Sequence, residues 1–456
     1  MTQATHHFLQ NSLRRLIASD WKLGVVGDFV AELNAGVSVN AVETEGGCAG
    51  DEVGVLKSGA VLRGKFFPEQ HKVVVPADRG RVATSVRADR IILSRMNTPA
   101  LVGESGYVEE DAPHLFLPDR LWQTEPSNEP HSQRWLSYWL QHPAVRALIV
   151  AAATGTSNSM KNISKETVLS LPVPRTPLAE QTRIAAILTA VDDKLDVIAR
   201  QIEATQTLKQ GLMQTLFSRG VGTKGSNGTW APHTHLHHID GRELPRAWGA
   251  ATLGAYIAEL RSGVSVNAED RVCRPGEIGV LKVSSVQDGR FFPSNHKTVV
   301  PMELDRVAEP VQEGCIIISR ANTPALVGES AYVVNSHPEL FLPDKLWQTR
   351  PTDSAHSARW LAFYLQSPGV RQEVRKAATG TSGSMKNISK ASLLNIFMPL
   401  VPLEEQLHIA ELLGAITSKI EALEEKDRHY QSLKRGLMQK LLTGEWRVKI
   451  GTETAT

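Results

Sequence analysis

Guanidinium, ammonium, carboxamide and hydroxyl side chains gather in two short blocks of this 456-residue sequence. In Ser94-Arg95-Met96-Asn97-Thr98-Pro99, a cation and an amide stand beside a turn signal. In Thr154-Gly155-Thr156-Ser157-Asn158-Ser159-Met160-Lys161-Asn162-Ile163-Ser164-Lys165, hydroxyls flank a flexible glycine and no acid interrupts the run. Arg and Lys pair with phosphates and with guanine O6/N7, and Asn bridges adenine N6/N7. Hydroxyls and backbone amides hold a sugar-phosphate chain in place. The second block therefore reads as a phosphate-facing loop and Arg95 with Asn97 as a candidate for base readout, although Asn97 before Thr98-Pro99 is also what a simple turn requires.

Both blocks are written twice. Ser94 to Ser105 reads SRMNTPALVGES and Ser319 to Ser330 reads SRANTPALVGES, one difference in twelve at an offset of 225. At the same offset LFLPDRLWQT from Leu115 answers LFLPDKLWQT from Leu340, and ATGTSNSMKNISK from Ala153 answers ATGTSGSMKNISK from Ala378. GLMQ recurs at Gly211 and Gly436, while GVSVN at Gly36 and Gly263 is offset by 227. A repeat of this length is a duplicated domain-sized unit, whereas solenoid repeats run about 20 to 50 residues.

The duplication permits an internal comparison of polar residues. Basic side chains occur in both copies at Lys57/Lys282, Lys65/Arg290, Lys72/Lys297, Arg81/Arg306, Arg95/Arg320, Lys161/Lys386 and Lys165/Lys390; His71 and His296 precede the third pair. With Asn97/Asn322, Asn162/Asn387, Thr156/Thr381 and Ser157/Ser382 these are the expected DNA contacts. Any one shared lysine by itself reads more readily as a solvated surface residue or a fold element inherited through duplication; the group points to nucleic acid. The formal net charge of +2 excludes an indiscriminate polyanion binder, so the affinity must be local. The copies also differ. Lys57 to Asn97 holds nine basic and three acidic residues, Lys282 to Asn322 five of each; Arg63 corresponds to Asp288, and Asn34-Ala35 to Arg261-Ser262.

Catalytic equipment is missing from the pattern. The only Gly-Lys pair, Gly64-Lys65, is followed by Phe66 rather than the hydroxyl of a phosphate-binding loop. No Pro-Pro dipeptide exists to build an amino-methyltransferase pocket of the Asn/Asp-Pro-Pro-aromatic type. Pro118-Asp119 and Pro343-Asp344 begin like a nuclease motif but lack the following Glu-x-Lys, and read as turns. Gly220-x-Gly222-x-x-Gly225 follows a helix and opens a linker, the wrong context for a dinucleotide site. Cys48, Cys273 and Cys315 are too few and scattered for a disulfide framework or a close-paired zinc site. No catalytic residue, metal or bound cofactor is expected.

The elements that must position these residues are of two kinds. Short apolar runs such as HKVVVP, RIILSR and GCIIISR between Gly, Pro and Asn signals predict short strands, with helical spacing in QRWLSYWLQHPAVRALIVAAA and ARWLAFYLQSPGVRQEVRKAA interrupted by Pro143 and Pro368. Trp21, Trp122, Trp248 and Trp347 are expected in the cores. Then Ile184, Leu188, Val191, Leu195, Ile198 and Ile202 recur at coiled-coil spacing, as do Ile409, Leu413, Ile416, Ile420 and Leu423 before Asp427 shifts the phase. Each helix would run about 60 Å at 1.5 Å per residue. The expected architecture is α+β, two similar heads with two long helices. The expected divisions are an N-terminal segment 1–20, head 21–176, helix 177–219, linker 220–247, head 248–401, helix 402–446 and tail 447–456. In the linker His233, His235, His237 and His238 lack acidic or cysteine partners at ligand spacing and are expected to be solvated. No apolar leader core and no run of about 18 apolar residues is present, so a cytoplasmic chain is expected.

Taken together, the ATGTSxSMKNIS blocks, the opening Trp of each copy, the junctions TPLAEQTRIAAIL and VPLEEQLHIAELL, and the endings LKQGLMQTLF and LKRGLMQKLLTGEWRV resemble the specificity subunits of type I restriction-modification enzymes. The resemblance implies two target-recognition domains held on two antiparallel helices in a pseudo-two-fold tandem duplication. Each domain would read half of an interrupted double-stranded DNA target. It further implies two methyltransferase subunits that bring S-adenosylmethionine, and motor-nuclease subunits that bring ATP and Mg. The competing readings are the specificity subunit of a system with methylation and cleavage fused in one partner, a stand-alone DNA methyltransferase or nuclease, and a structural coiled coil.

Overall fold

The computed structural model describes residues 11, 13–44, 46–48, 50–157, 160–380 and 385–449. The chain divides into two compact units, one of residues 1–199 with 426–456 and one of residues 200–425. Each long helix, Leu178–Arg219 and Leu403–Leu442, contributes its first part to one unit and its second part to the other.

In the first unit a six-stranded sheet runs in the order Val30–Ala35, Leu121–Pro126, Arg90–Ser94, Ser105–Val108, Gly64–Phe66, Val61–Leu62. Its partner is a five-stranded sheet in the order Ala41–Val42, His71–Val74, Gly54–Leu56, Ala112–Phe116, Ser85–Val86. Successive side chains of a strand point to opposite faces, which explains why Arg90–Ser94 is apolar at every central position. Ile92 joins Leu56, Val86, Val108 and Leu115 between the sheets, whereas Ile91 and Leu93 pack with Trp135, Trp139 and Ile149 of the head's helices. The second unit repeats the scheme: Ile317 lies in one core with Leu281 and Leu340, Ile316 and Ile318 in the other with Trp360 and Leu361. Its larger sheet has four strands, with Val286–Gln287 and Arg290–Phe291 forming a separate pair.

The prolines divide the helical segments where the backbone requires it. Helices Gln133–Leu140 and Pro143–Ala152 in the first unit correspond to Ala358–Gln366 and Pro368–Ala377 in the second. A proline at the first helical turn loses only an N–H that has no intrahelical partner anyway. All four tryptophans expected in the cores, Trp21, Trp122, Trp248 and Trp347, are buried.

Within each unit the two long-helix segments are antiparallel. In the first, Lys434 Nζ lies 2.6 Å from Asp192 Oδ1, while Arg447, just beyond the second helix, reaches Glu180 at the start of the first. In the second unit Lys224, just beyond the first helix, meets Glu404 at 2.6 Å at the start of the second. Of the expected seam, Ile184, Leu188, Val191, Ile198, Ile409, Leu413, Ile420 and Leu423 are buried, and Leu195, Ile202 and Ile416 half-buried. Ile184 and Leu188 share a core with Met438, Leu441 and Leu442, and Ile409 and Leu413 share one with Met213, Leu216 and Phe217.

The Pro-Leu-x-Glu-Gln junctions are explained by their hydrogen bonds. Gln181 accepts from Ser132 N at 2.9 Å and donates to Thr176 O at 2.8 Å; Gln406 repeats this with Ser357 N and Val401 O at the same distances. One amide thus ties the start of a head helix to the start of a long helix. The preceding glutamates, both buried, receive different donors. Glu180 takes the Arg447 guanidinium at 2.8 and 2.9 Å; Glu405 takes Val221 N, Gly222 N and Trp248 Nε1 at 2.9, 3.1 and 2.8 Å.

Two expectations differ from the structure. Segment 220–247 contains two hairpins, Thr223–Lys224 with Trp230–Ala231 and Leu236–Ile239 with Arg242–Pro245. His233 is half-buried there rather than solvated, its enclosed side chain placing Nε2 3.1 Å from Glu405 Oε1, because it packs over the glutamate that also anchors the chain leaving the first helix. The second long helix stops at Leu442, short of residue 446: Gly444 adopts φ +77°, the left-handed conformation that closes helices.

Candidate nucleic-acid interface

The two blocks singled out by their chemistry lie against each other. Strand Met96–Asn97 pairs antiparallel with Met160–Asn162, opposing Met96 to Asn162 and Asn97 to Lys161; Ala321–Asn322 pairs likewise with Lys386–Asn387. Arg95 N donates to Arg120 O at 2.9 Å and Ile163 N to Arg95 O at 3.1 Å, and Arg320 repeats both bonds with Lys345 and Ile388. Arg95, Arg120, Lys161 and Lys165 are thereby gathered on one head, and Arg320, Lys345, Lys386 and Lys390 on the other. None of the eight has a carboxylate within salt-bridge distance among the described residues.

The expected basic contacts outside this patch, Lys297 excepted, are engaged within the protein. Lys57 and Lys72 both lie 3.4 Å from Glu43, whose carboxyl is held below its ordinary range by hydrogen bonding to Lys57 and then Lys72. Lys282 takes Asp270 at 2.6 Å, while Lys297 has no carboxylate within salt-bridge distance among the described residues but helps Lys282 lower that acid. Arg81 reaches Asp78 at 3.0 Å and Ser38 O at 3.4 Å, and Arg306 reaches Glu303 and Ser265 O. The last pair braces the GVSVN loop: Asn40 N donates to Asp78 at 2.7 Å and Asn267 Nδ2 to Glu303 at 3.0 Å. Lys65 pairs with Asp196, and Arg290 with Glu424 at 2.5 and 3.1 Å, so both clamp a head to a long helix within its own unit. His71 and His296 turn inward, receiving Cys48 N and Cys273 N on Nε2 at 3.3 and 2.9 Å.

Inside the patch the roles are divided. Lys161 and Lys386 donate to Gly155 O and Gly380 O at 2.9 and 3.0 Å. The amides of Asn97 and Asn322 are spent locally, accepting from Thr98 N and Thr323 N at 2.9 and 2.8 Å and donating to Ser94 and Ser319 Oγ at 3.3 Å. Arg95 lies over the Trp122 ring at 5.9 Å, whereas Arg320 Nε donates to Asn387 Oδ1 at 3.2 Å. Asn162 Oδ1, the counterpart of that acceptor, is buried without a protein donor among the described residues. Lys165 and Lys390 open short helices capped by Ser164 and Ser389 and are exposed. Thr156 and Ser157 lie in strand Thr154–Ser157. Their side chains, and Thr381 and Ser382 altogether, lie outside the described residues.

Arg120 and Lys345 were not singled out from the sequence. They occupy the one position at which LFLPDRLWQT and LFLPDKLWQT differ, in a segment whose neighbouring prolines drew attention as a turn. That turn is present, with Leu121 N and Leu346 N donating to Pro118 O and Pro343 O at 3.3 Å. Cys48, Cys273 and Cys315 are free thiols, and among the described residues no three His, Cys, Asp or Glu side chains gather as a metal set.

Two α+β heads with long-helix segments, each with the same cation patch, define a duplicated two-headed module. The comparisons with known proteins sharpen this class. Residues 67–206 match the family model of the type I restriction modification DNA specificity domain. The chain is 27% identical over 292 residues to the type I restriction enzyme MjaVIII specificity subunit of Methanocaldococcus jannaschii, a match covering 63% of this chain and 65% of that protein. It is 26% identical over 366 residues to the putative MjaX specificity subunit of the same organism, covering 79% of each. The type I restriction-modification S subunit of M. genitalium shares the fold, with a TM-score of 0.56 at 16% identity over 92% of this chain and 96% of that one. The chain is thus similar in sequence to type I restriction enzyme specificity subunits and shares its fold with a solved S subunit.

Proposed function

We propose that this chain is the DNA-reading specificity subunit of a type I restriction-modification complex. It recognises an interrupted double-stranded target and carries no catalytic apparatus of its own. The cation patch repeated at matching positions in both heads carries this reading: each head offers Arg and Lys charges uncommitted to any carboxylate among the described residues, as contact with a phosphate backbone requires. Two methyltransferase subunits would supply S-adenosylmethionine, and motor-nuclease subunits ATP and Mg. The exposed faces of the long helices, which include Leu178, Leu208, Leu403 and Leu407, would serve as docking surface. Because the heads are close copies, the two half-sites are expected to be related and read on opposite strands.

Methylome sequencing of cells expressing the chain with its methyltransferase partner tests this. An interrupted motif with related halves is expected. Unrelated halves would overturn the relation between half-sites, and methylation by the purified chain alone would overturn the non-catalytic role.

A further inference from the structure

Among the differences between the two heads, one beside the cation patch is chemically directed. Strand Val30–Ala35 forms the edge of the larger sheet and pairs with Leu121–Pro126, opposing Asn34 to Gln123 and Ala35 to Trp122. Trp122 lies under Arg95, and Arg120 immediately precedes this strand. In the second unit, Ile257–Ser262 pairs with Leu346–Pro351 in the same register, opposing Arg261 to Gln348 and Ser262 to Trp347. Asn34 and Arg261 thus occupy corresponding places near the exit of an edge strand. The following glycines fix that exit, because a Cβ on Gly36 or Gly263 would meet the carbonyl oxygen of Leu117 or Leu342 at 1.6 Å.

Each of these residues is tethered by the glutamate two positions earlier. With its amide nitrogen turned toward Glu32, Asn34 lies 3.3 Å from both carboxylate oxygens. Arg261 donates from Nε to Glu259 Oε2 at 2.7 Å, and its nearer link to Glu309, through Nη1, is 3.7 Å long. The guanidinium is oriented through Nε, and the side chain is 47% exposed. Lys390 of the patch adds to the depression of the Glu259 pKa, behind the hydrogen bond and charge of Arg261, which places this carboxylate within electrostatic reach of the patch.

We propose that Asn34 and Arg261 are the corresponding base-reading side chains of the two heads, Asn34 selecting adenine and Arg261 selecting guanine at equivalent positions of the two half-sites. The inference rests on the DNA-reading role proposed above. An amide matches the donor–acceptor pair of adenine N6/N7, and a guanidinium fork matches the two acceptors of guanine O6/N7. The same glutamate buttress fixes both readers on a strand, so the half-sites diverge by exchange of one side chain on an unchanged scaffold.

The exchange is tested in the full chain, as N34R and R261N, assembled with its methyltransferase partner and challenged with a randomised DNA library. Each variant is expected to change the preferred base pair at one position of one half-site, by about tenfold or more, and to leave the other half-site as it was. R261K, which retains the charge but loses the fork, is expected to relax the guanine preference alone while the salt dependence of binding stays as in the wild type. Unchanged preferences in R261N and R261K, with binding retained, would overturn the assignment. A wild-type chain that binds without any sequence preference would instead overturn the reading on which the assignment rests.

Discussion

A cation already paired with a protein carboxylate releases few counterions when a phosphate arrives, because its charge is already compensated. Lys57 and Lys72 share Glu43, whereas Lys161 and Lys386 donate to backbone carbonyls and have no carboxylate partner among the described residues. The slope of log affinity against log salt falls by about 0.9 for each phosphate that is no longer neutralised by a side chain. K161A with K386A is therefore expected to lower that slope by about 2, and K57A with K72A to leave it nearly unchanged; equal reductions in a titration from low to moderate salt would contradict the division. This division marks the limit of what the sequence displayed. Arg95, Lys161 and Lys165 were legible because both copies carry them in acid-free blocks. That Arg81 and Arg306 brace the GVSVN loop was not, because Asp78 and Glu303 face it only once a short 3-10 helix forms. Asn97 was legible as two alternatives, and its hydrogen bonds to Ser94 and Thr98 select the turn.

At the scale of elements, periodicity revealed the long helices and the strands buried on both faces, since a seam or an unbroken apolar run is imposed by burial alone. The hairpins of segment 220–247 left no such mark, being two to four residues long and stitched by backbone bonds and Glu405. The break between the paired head helices was visible as proline, but its chemistry differs between copies. His142 caps the second helix of the first unit, its Nδ1 accepting from Ala144 N at 3.3 Å; Ser367 occupies the place in the second unit. Burial pulls the His142 pKa down to about 4, so the folded ring stays neutral. In the unfolded chain it protonates near pH 6.5. Between these values the unfolded state binds more protons, and the stability of the first unit falls as the pH drops, by about 3 kcal/mol once pH 4 is passed. H142S is expected to flatten this acid limb in pH-dependent denaturant melts. An unchanged pH profile would show that the imidazole protonates freely in the folded state. Gly36 offers an independent check on the same unit: G36A is expected to lower the melting temperature, since its Cβ would overlap the Leu117 carbonyl.

For the molecule as a whole, the duplication is of head with helix, yet the compact units do not follow the repeat boundaries. The first unit needs residues 426–456, separated from the rest of it by the entire second unit in sequence. Those residues bring Met438, Leu441 and Leu442 into the core around Trp135 and Leu188, the Lys434 charge to Asp192, and the Arg447 guanidinium to the buried Glu180. Burying a large apolar side chain contributes roughly 1.5–3 kcal/mol, so removing three of them, with a buried carboxylate left unpartnered, is of the order of a small domain's whole stability. The second unit is contiguous from residue 200 to 425 and keeps all its own contacts in a chain ending there. A chain truncated after Glu425 is therefore expected to lose the melting transition of the first unit, although every residue of that head is present, and to retain that of the second. Calorimetry with limited proteolysis distinguishes the outcomes: cleavage within 21–176 and protection of 248–401 is expected, and equal protection of both heads would show that the first folds without the closing helix.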